Sequence, residues 1–231
     1  MAKKKGKLIV LDGTDGSGKA TQTKLLVSRL KKEGYRVKAF DFPQYENNFF
    51  GKFIGECQTC QYGDFVSLNP HIASVLYAAD RFESKLSLEK WLKAGYVVVL
   101  DRYVSSNQIH QGGKITDAQS RKKFLEWLDT MEFKIFGLPR PDIILYLDVP
   151  IAITQKLLKL KGQTEKKVYL KGGKKDVVEN DVRYLSDSRE SALKLVKKQN
   201  HWLRINCIKR DEMLSREIIA ELVWKNIKTV L

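Results

Sequence analysis

A glycine-rich stretch near the amino terminus constrains the fold of this chain more than any other feature. Residues 13–19 read GTDGSGK; they directly follow the apolar run KLIVLD and precede the helical pattern KATQTKLL. Glycines let backbone N–H groups turn inward around phosphate oxygens, the helix start adds its positive dipole end, and the lysine reaches the terminal phosphates. The context predicts a loop that binds a nucleoside triphosphate, formed by Gly13, Thr14, Asp15, Gly16, Ser17, Gly18, Lys19, Ala20 and Thr21.

Short apolar runs alternate with amphipathic helical stretches along the whole chain. The runs cover residues 7–12, 35–42, 95–101, 142–149 and 203–208, and the helical stretches include residues 19–34, 69–95, 120–137 and 216–231. This alternation predicts an α/β fold, a doubly wound parallel five-stranded sheet between two layers of helices, whose ligands bind beyond the carboxyl ends of the strands. We expect residues 1–231 to form one domain, with the lysine- and glycine-rich residues 156–176 as a basic excursion.

Two residues are relevant to whether a metal ion can bind beside the loop. Ala20 stands where phosphate-binding loops usually carry the serine or threonine whose hydroxyl binds magnesium. Asp101 ends the predicted strand YVVVLD, where its carboxylate can hold a metal-bound water, and the adjacent Arg102 can clamp a phosphate with two parallel hydrogen bonds. Because magnesium keeps several water ligands, we expect a weakened Mg²⁺ site at Asp101, with activity retained.

The charge of the chain favours anionic partners, since 42 Lys+Arg against 27 Asp+Glu give a net charge of +15. The lysines cluster without the interleaved aromatic residues that stack on single-stranded nucleic acid, so we expect a solvated basic surface and no nucleic-acid binding. No apolar run is long enough to span a bilayer, and three cysteines, an odd number, favour a reducing compartment. We therefore expect a cytoplasmic protein that does not enter membranes.

Several motifs beyond the loop are similar to those of a known enzyme family. They are FPQY at residues 42–45, LYAADRFE at 76–83, DRYVSSNQ at 101–108 and YLDVP at 146–150. With them, the chain resembles the thymidylate kinases, which are phosphate-loop nucleoside monophosphate kinases. The resemblance implies ATP and Mg²⁺ as cofactors, phosphoryl transfer from ATP to dTMP giving ADP and dTDP, a homodimer, and a mobile lid at about residues 156–180.

The resemblance also implies roles for individual residues. Asp15 would bond the 3′-hydroxyl of the deoxyribose, Tyr77 would stack on thymine, and Asn107 would bond the edge of the base. Arg81 would meet the base and the acceptor phosphate, and Arg102 would hold that phosphate. The implied dTMP contacts are Asp15, Phe42, Tyr77, Arg81, Arg102, Ser106, Asn107, His110 and Gln111, and the implied catalytic residues are Lys19, Asp101, Arg102 and Arg183.

Departures from the family pattern leave alternatives open. Asp41 stands where family members commonly have an arginine for the acceptor phosphate, and His110 where a tyrosine usually crowds the ribose 2′ position. The lid region carries lysines and no arginine before Arg183, so a lid lysine, Arg183 or Arg189 would supply the charge. A kinase of another nucleotide or of a deoxynucleoside is one alternative, and a catalytically weak nucleotide-binding regulator or nucleic-acid binder is another.

Overall fold

The protein is built around a five-stranded, all-parallel sheet. The structure, a computed structural model, describes residues 5–162 and 181–231. The strands run in the spatial order β2-β3-β1-β4-β5, which places β1 at the centre. Their bounds are β1 Lys7–Asp12, β2 Val37–Asp41, β3 Val97–Asp101, β4 Ile143–Asp148 and β5 Trp202–Asn206. The predicted doubly wound fold is confirmed, and each strand lies at one of the five predicted apolar runs.

Helices connect the strands and cover both faces of the sheet. They are α1 Lys19–Lys32, α2 Phe49–Gln58, α3 Pro70–Glu83, α4 Lys85–Lys93, α5 Val104–Ser106, α6 Ala118–Asp129, α7 Ile151–Gly162, α8 Val182–Lys198 and α9 Arg216–Ile227. Two π-helical segments, Asn107–Gln111 and Thr130–Ile135, follow α5 and α6 directly. A small antiparallel pair, β6 Ile208–Lys209 and β7 Glu212–Met213, precedes α9.

Some helical stretches are divided in ways that the sequence pattern did not predict. The stretch at residues 69–95 is two helices that meet at Ser84, and the stretch at 120–137 is α6 followed by a π-helical segment. Residues 156–162 of the expected basic excursion belong to α7, and its remainder lies outside the described residues.

The core consists of two apolar layers, one on each face of the sheet. Alternate residues of a strand point to opposite faces, so Ile9 and Leu11 of β1 enter one layer while Leu8 and Val10 enter the other. The first layer is completed by α1 and α9, through residues such as Leu26, Leu30, Ile219 and Val223. The second is completed by α4, α5 and α8, through residues such as Leu88, Val104, Ala192 and Leu195. Strands buried on both faces explain the nearly continuous apolar runs in the sequence.

The chain diverges to opposite faces of the sheet at the carboxyl ends of β1 and β3. These strands are neighbours, and Leu11 is paired with Asp101 in the ladder. The helix after β1 packs on one face of the sheet, whereas α5 after β3 packs on the other. Such a switch point is the usual ligand-binding position in an open α/β sheet. The predicted phosphate loop and the Asp101-Arg102 pair lie on its two sides.

Within the part of the chain that the structure describes, no helix is both long enough and apolar enough to cross a membrane.

Candidate active site

The loop at residues 13–19 wraps around the side chain of Lys19. The ammonium group donates hydrogen bonds to the carbonyl oxygens of Gly13 at 2.9 Å and Thr14 at 3.0 Å, and lies 3.7 Å from Asp15 Oδ1. Burial, followed by the nearby Arg102, lowers the pKa of Lys19. None of the described side chains caps the start of α1, so its first N–H groups are placed to receive an anion. This is the local geometry that the glycine-lysine pattern predicts.

Asp12 anchors the loop, and the sequence reasoning did not single it out. Its buried carboxylate accepts hydrogen bonds from the Gly13 N–H at 2.8 Å, from Ser105 Oγ at 2.6 Å and from Ser106 Oγ at 2.8 Å. The bonds tie the end of β1 to the start of the segment that follows β3. Ser106, a predicted dTMP contact, therefore gives its hydroxyl hydrogen to Asp12. The sequence did carry a signal for this role: Asp12 is an acidic residue at the end of an apolar strand, directly before the loop.

Arg102 lies between the phosphate loop and the segment after β3. One nitrogen of its guanidinium donates to Asp15 Oδ1, and Nη1 lies 3.1 Å from His110 Nε2 and 3.9 Å from Asp12 Oδ1. Its backbone adopts a left-handed conformation with φ of 68°, while its N–H bonds the Leu11 carbonyl. Burial alone would lower the pKa of Arg102, but the nearby carboxylates, Asp15 foremost, raise it above its ordinary value. Three predicted site residues thus meet here.

The hydrogen bonds of His110 define its protonation state. Ser188 Oγ donates its single hydrogen to the Tyr184 carbonyl at 2.7 Å, so it must accept from His110 Nδ1 at 3.1 Å. His110 Nε2 is then unprotonated and accepts from Arg102. Burial, followed by Arg102, lowers the pKa of His110 to about 4, in agreement with a neutral ring. His110 therefore joins Arg102 to α8, against whose Tyr184 ring it stacks with centroids 5.8 Å apart.

Asp101, the predicted Mg²⁺ ligand, is half-buried at the end of β3. None of the described residues donates a hydrogen bond to it, and burial raises its pKa to about 6 despite the opposing effects of Lys19 and Arg102. A carboxylate oxygen is the hard ligand that Mg²⁺ prefers. The oxygens of Asp12 are already occupied, and Ala20, exposed in the first turn of α1, offers none. Within residues 5–162 and 181–231, no group of three or more potential protein ligands converges, so most ligands of an ion here would be water and phosphate.

Two hydrogen-bond networks hold the predicted dTMP contacts Tyr77, Arg81 and Asn107. In the first, Gln58 donates to the Tyr77 hydroxyl at 3.1 Å and accepts from the Tyr45 hydroxyl at 2.8 Å. The half-buried Tyr77 ring lies 5.8 Å from Phe65, between centroids. These contacts hold Tyr77, the predicted stacking residue, from both its hydroxyl and its ring.

The second network joins two predicted dTMP contacts through a residue that the sequence reasoning missed. Arg81 donates from Nε and Nη2 to the two carboxylate oxygens of Glu132, both at 2.7 Å. Asn107 Nδ2 donates to Glu132 Oε1 at 2.9 Å and to the Ser74 carbonyl at 3.1 Å. Glu132 lies in a stretch whose sequence is that of an ordinary amphipathic helix. Nothing in the neighbouring residues therefore distinguishes it from a glutamate on the surface.

The sequence of this chain is similar to those of known proteins over most of its length. The family model described as thymidylate kinase matches residues 11–218. This chain belongs to the thymidylate kinase family. It is 27% identical to the thymidylate kinase of Plasmodium falciparum (isolate 3D7), covering 95% of this chain and 91% of that protein. It is 31% identical to a probable thymidylate kinase of Thermococcus onnurineus (strain NA1), covering 92% and 95% respectively.

A solved thymidylate kinase structure, from Candida albicans, has the same fold. Its TM-score to this chain is 0.69 at 23% sequence identity, and the match covers 97% of this chain and 92% of that one. The five-stranded sheet described above is thus the fold of a thymidylate kinase.

The remaining predicted residues of this thymidylate kinase family member take no part in these networks. Phe42 is buried with its ring 6.0 Å from that of Tyr103, and Gln111 is buried with no hydrogen-bond partner for its Oε1 among the described residues. Thr21 is half-buried in the first turn of α1, and Arg183 is exposed in the first turn of α8. Their predicted roles stay predictions.

Two residues named as family departures have distinct surroundings. Asp41 is exposed at the end of β2, directly opposite Asp101 in the ladder. Arg189, one candidate for the missing lid charge, donates to the buried Asp148 carboxylate at 2.7 and 3.2 Å, and Arg204 donates to the same group at 2.8 Å. Two nitrogens of Arg189, Nε and Nη2, are therefore already given to Asp148.

Proposed function

We propose that this chain transfers the terminal phosphoryl group of ATP to dTMP, giving ADP and dTDP. The family match over residues 11–218 carries the proposal. Support also comes from the convergence of the loop that surrounds Lys19 with Asp15 and Arg102 at one switch point. Phosphoryl transfer requires positioning and charge stabilisation more than a covalent partner, and this cluster of fixed N–H groups and cations provides both.

The donor triphosphate would lie in the loop at the start of α1. Backbone N–H groups at the uncapped helix start bind phosphate oxygens, and the ammonium of Lys19 exchanges its bonds to the Gly13 and Thr14 carbonyls for bonds to the terminal phosphates. Because Lys19 is buried, its charge acts at low dielectric and is worth more to the transition state than in water.

The acceptor nucleotide would lie between Arg102 and α3. Asp15 binds the 3′-hydroxyl, Arg102 holds the phosphate and Tyr77 stacks on the base. In the ligand-free geometry Arg102 already bonds Asp15 and His110, so the nucleotide enters a site whose guanidinium is oriented in advance. Arg81 and Asn107 complete the site at the base.

Mg²⁺ is proposed as a cofactor held by Asp101. When bound, Mg²⁺ neutralises the charge that develops on the transferring phosphates. The hydroxyl that Ala20 lacks is replaced by water, which weakens the affinity for the ion and leaves the positions of Lys19 and Arg102 unchanged.

A homodimer is proposed from an exposed apolar face. Ile72, Val75 and Phe82 are exposed and lie on one side of α3, because three- and seven-residue intervals return to the same face of a helix. Phe82 also contacts Phe136, with ring centroids 5.1 Å apart, which brings the end of the π segment to this face. Monomeric proteins rarely expose contiguous apolar patches of this kind, so a second copy of the chain would cover it.

We also propose that the protein works in the cytoplasm. All three cysteines are free, with Cys57 and Cys207 buried and Cys60 exposed, as suits a reducing compartment.

The test is ADP release by the purified chain with ATP, Mg²⁺ and, in turn, dTMP, dUMP, dCMP, dGMP and UMP. We expect turnover selective for dTMP. The panel tests whether the departures at Asp41 and His110 change the acceptor. Preference for another acceptor would mean that the chain is a kinase of a different nucleotide. No turnover with any acceptor would reject the kinase and favour a nucleotide-binding regulator, whose affinity for short DNA at physiological salt would then be measured.

The same assay tests the metal proposal with an Ala20→Ser variant. The added hydroxyl gives Mg²⁺ a protein ligand, so half-maximal activity should need about two- to tenfold less Mg²⁺, with kcat at saturating Mg²⁺ nearly unchanged. An equal Mg²⁺ requirement in both proteins would show that the missing hydroxyl has no influence on the metal.

A further inference from the structure

Glu132 is a fully buried carboxylate with partners on two other elements. It lies in the π segment Thr130–Ile135 and is 0% exposed, while its partner Arg81 on α3 is 2% exposed. It accepts three hydrogen bonds, two from Arg81 and one from Asn107. Both donors are residues that the proposed function places against the base of the acceptor nucleotide.

These contacts determine which way the Asn107 amide faces. Nδ2 carries two hydrogens, and they are used by Glu132 Oε1 at 2.9 Å and the Ser74 carbonyl at 3.1 Å. Turning the amide over would place Oδ1 against a carboxylate and a carbonyl, which repel it. Asn107 can therefore offer a ligand only its Oδ1, a hydrogen-bond acceptor.

The same carboxylate determines what Arg81 can offer. Nε and one hydrogen of Nη2 are given to Glu132, which holds the plane of the guanidinium. A guanidinium has only donors, so its remaining N–H groups can serve carbonyl or phosphate oxygens and cannot serve an amino group. The pair thus presents a fixed pattern, with an acceptor at Asn107 and donors at Arg81.

We propose that Glu132 is a positioning residue that sets base selectivity by holding Asn107 Oδ1 and the free N–H groups of Arg81 toward the acceptor base. The pattern fits a pyrimidine that has a hydrogen on N3 and a carbonyl at C4, as thymine and uracil do. Cytosine has an acceptor at N3 and an amino group at C4, so both contacts would oppose like groups. This inference rests on the proposed function, since it places the base beside these residues.

A purely structural ion pair would behave differently when Glu132 is changed. Loss of the pair would lower stability, because a buried charge left without its partner is costly, but it would lower activity toward every acceptor by the same factor. A positioning role changes the ratio between acceptors and the KM for dTMP, and leaves the KM for ATP unchanged.

The experiment compares wild type, Glu132→Gln and Glu132→Asp with a control, Glu126→Gln. Glu126 lies on α6, close to Glu132 in sequence. Its side chain is exposed and forms a long ion pair with Lys122, at 3.9 Å. Glu132→Gln replaces an acceptor oxygen with a donor facing Arg81 or Asn107. Glu132→Asp keeps the charge, so Arg81 stays paired, and withdraws the carboxylate by one methylene. For each protein, kcat and KM are measured with dTMP and dCMP, and KM with ATP.

We expect both Glu132 variants to raise the KM for dTMP and lower the dTMP-to-dCMP ratio of kcat/KM by about tenfold or more, the effect of one mispaired buried polar group. The KM for ATP and the control should stay within about twofold of wild type. Equal losses for both acceptors, or an unchanged ratio in a folded variant, would overturn the proposal. If Glu132→Gln does not fold, Glu132→Asp decides.

A binding measurement keeps this inference separate from the proposed function. Calorimetric titration of wild type and Glu132→Asp with dTMP and with dCMP needs no turnover. If wild type is inactive with every acceptor, the kinase proposal fails, whereas Glu132 is still tested by the affinity ratio. Equal dTMP-to-dCMP affinity ratios in the two proteins would reject the role of Glu132 even if wild type is an active kinase.

Discussion

His110 is buried and Asp101 is half-buried at the carboxyl end of β3, and the loss of solvation moves their pKa values in opposite directions. The pKa of His110 falls to about 4 because the charged ring would lose water and face Arg102. The pKa of Asp101 rises to about 6 for the same reason of lost solvation, with Asp12 and Asp41 adding repulsion. Both groups are thereby pushed toward their neutral forms. Strongly shifted pKa values of this kind are typical of side chains at functional sites.

The lowered pKa of His110 predicts a pH-dependent loss of stability. Between pH 6.5 and about 4 the unfolded chain binds a proton at this residue and the folded protein does not, so the free energy of unfolding falls as the pH drops. The contribution reaches at most about 3 kcal/mol near pH 4. Urea unfolding of wild type and His110→Gln at pH 7, 6, 5 and 4 isolates it, because Asp80 and Asp101 titrate in both proteins.

We expect the variant to lose less stability than wild type over this range. Asp80 and Asp101, whose pKa values burial raises to about 6, act in the opposite sense, since the folded protein binds their protons first. Their effect cancels in the difference between the two proteins. Parallel stability curves would mean that His110 is not held neutral by its surroundings.

At the scale of elements, the phosphate loop depends on a helix that lies far away in sequence. Gly16 has a φ of 81°, and a Cβ at this position would lie 2.8 Å from the Thr154 carbonyl oxygen and 3.0 Å from Leu158 Cγ, both on α7. Gly18 has a similar φ of 91°, but no atom of the described residues lies within 4 Å of a Cβ built there. The loop therefore needs glycine at one position for conformation alone, and at the other for close packing as well.

This difference predicts unequal costs for two similar substitutions. Gly16→Ala and Gly18→Ala both place an alanine in a left-handed conformation, at about 1 kcal/mol each. Only Gly16→Ala also collides with a backbone carbonyl, so we expect it to lower the free energy of unfolding by at least about 1 kcal/mol more than Gly18→Ala. The measurement is made without nucleotide, so that contacts with phosphate do not contribute. Equal losses of stability in the two variants would show that α7 can move away from residue 16 at little energetic cost.

The elements themselves follow closely from local patterns in the sequence. Every strand of the five-stranded sheet lies at a predicted apolar run, and the runs of β1, β3 and β4 are nearly continuous because these strands are buried on both faces. The π-helical segments Asn107–Gln111 and Thr130–Ile135 were not predicted. Their composition matches that of an α-helix, and the additional residue per turn is set by packing against neighbouring elements.

At the scale of the whole molecule, α3 presents an exposed apolar face formed by Ile72, Val75 and Phe82. Ile72 and Phe82 keep 55% and 48% of their surfaces exposed, respectively. In a monomer this area stays in water, and association would remove it.

We therefore predict that wild type behaves in solution as a dimer of 26.6 kDa chains and that Phe82→Glu shifts it to the monomer. Light scattering coupled to size-exclusion chromatography measures the mass directly. Ile218→Glu is the matched control, because Ile218 is also half-exposed, on α9 at the opposite face of the sheet, and should leave the mass unchanged. A monomeric wild type, or dissociation by the control alone, would contradict the proposed interface.

The sequence by itself determined the sheet, its layers and the position of the phosphate loop, because periodicity and glycine spacing act between residues close together in the chain. The resemblance to the family drew attention to Asp15, Arg102 and His110, which the structure brings together. Only the tertiary structure decided that Asp12 accepts from Ser105, that His110 bonds Ser188, and that Glu132 holds Arg81 and Asn107. Partners in these pairs are separated by 93, 78, 51 and 25 residues. A buried glutamate and a surface glutamate look the same in a helical pattern, and what distinguishes them is the donors that folding brings to their oxygens.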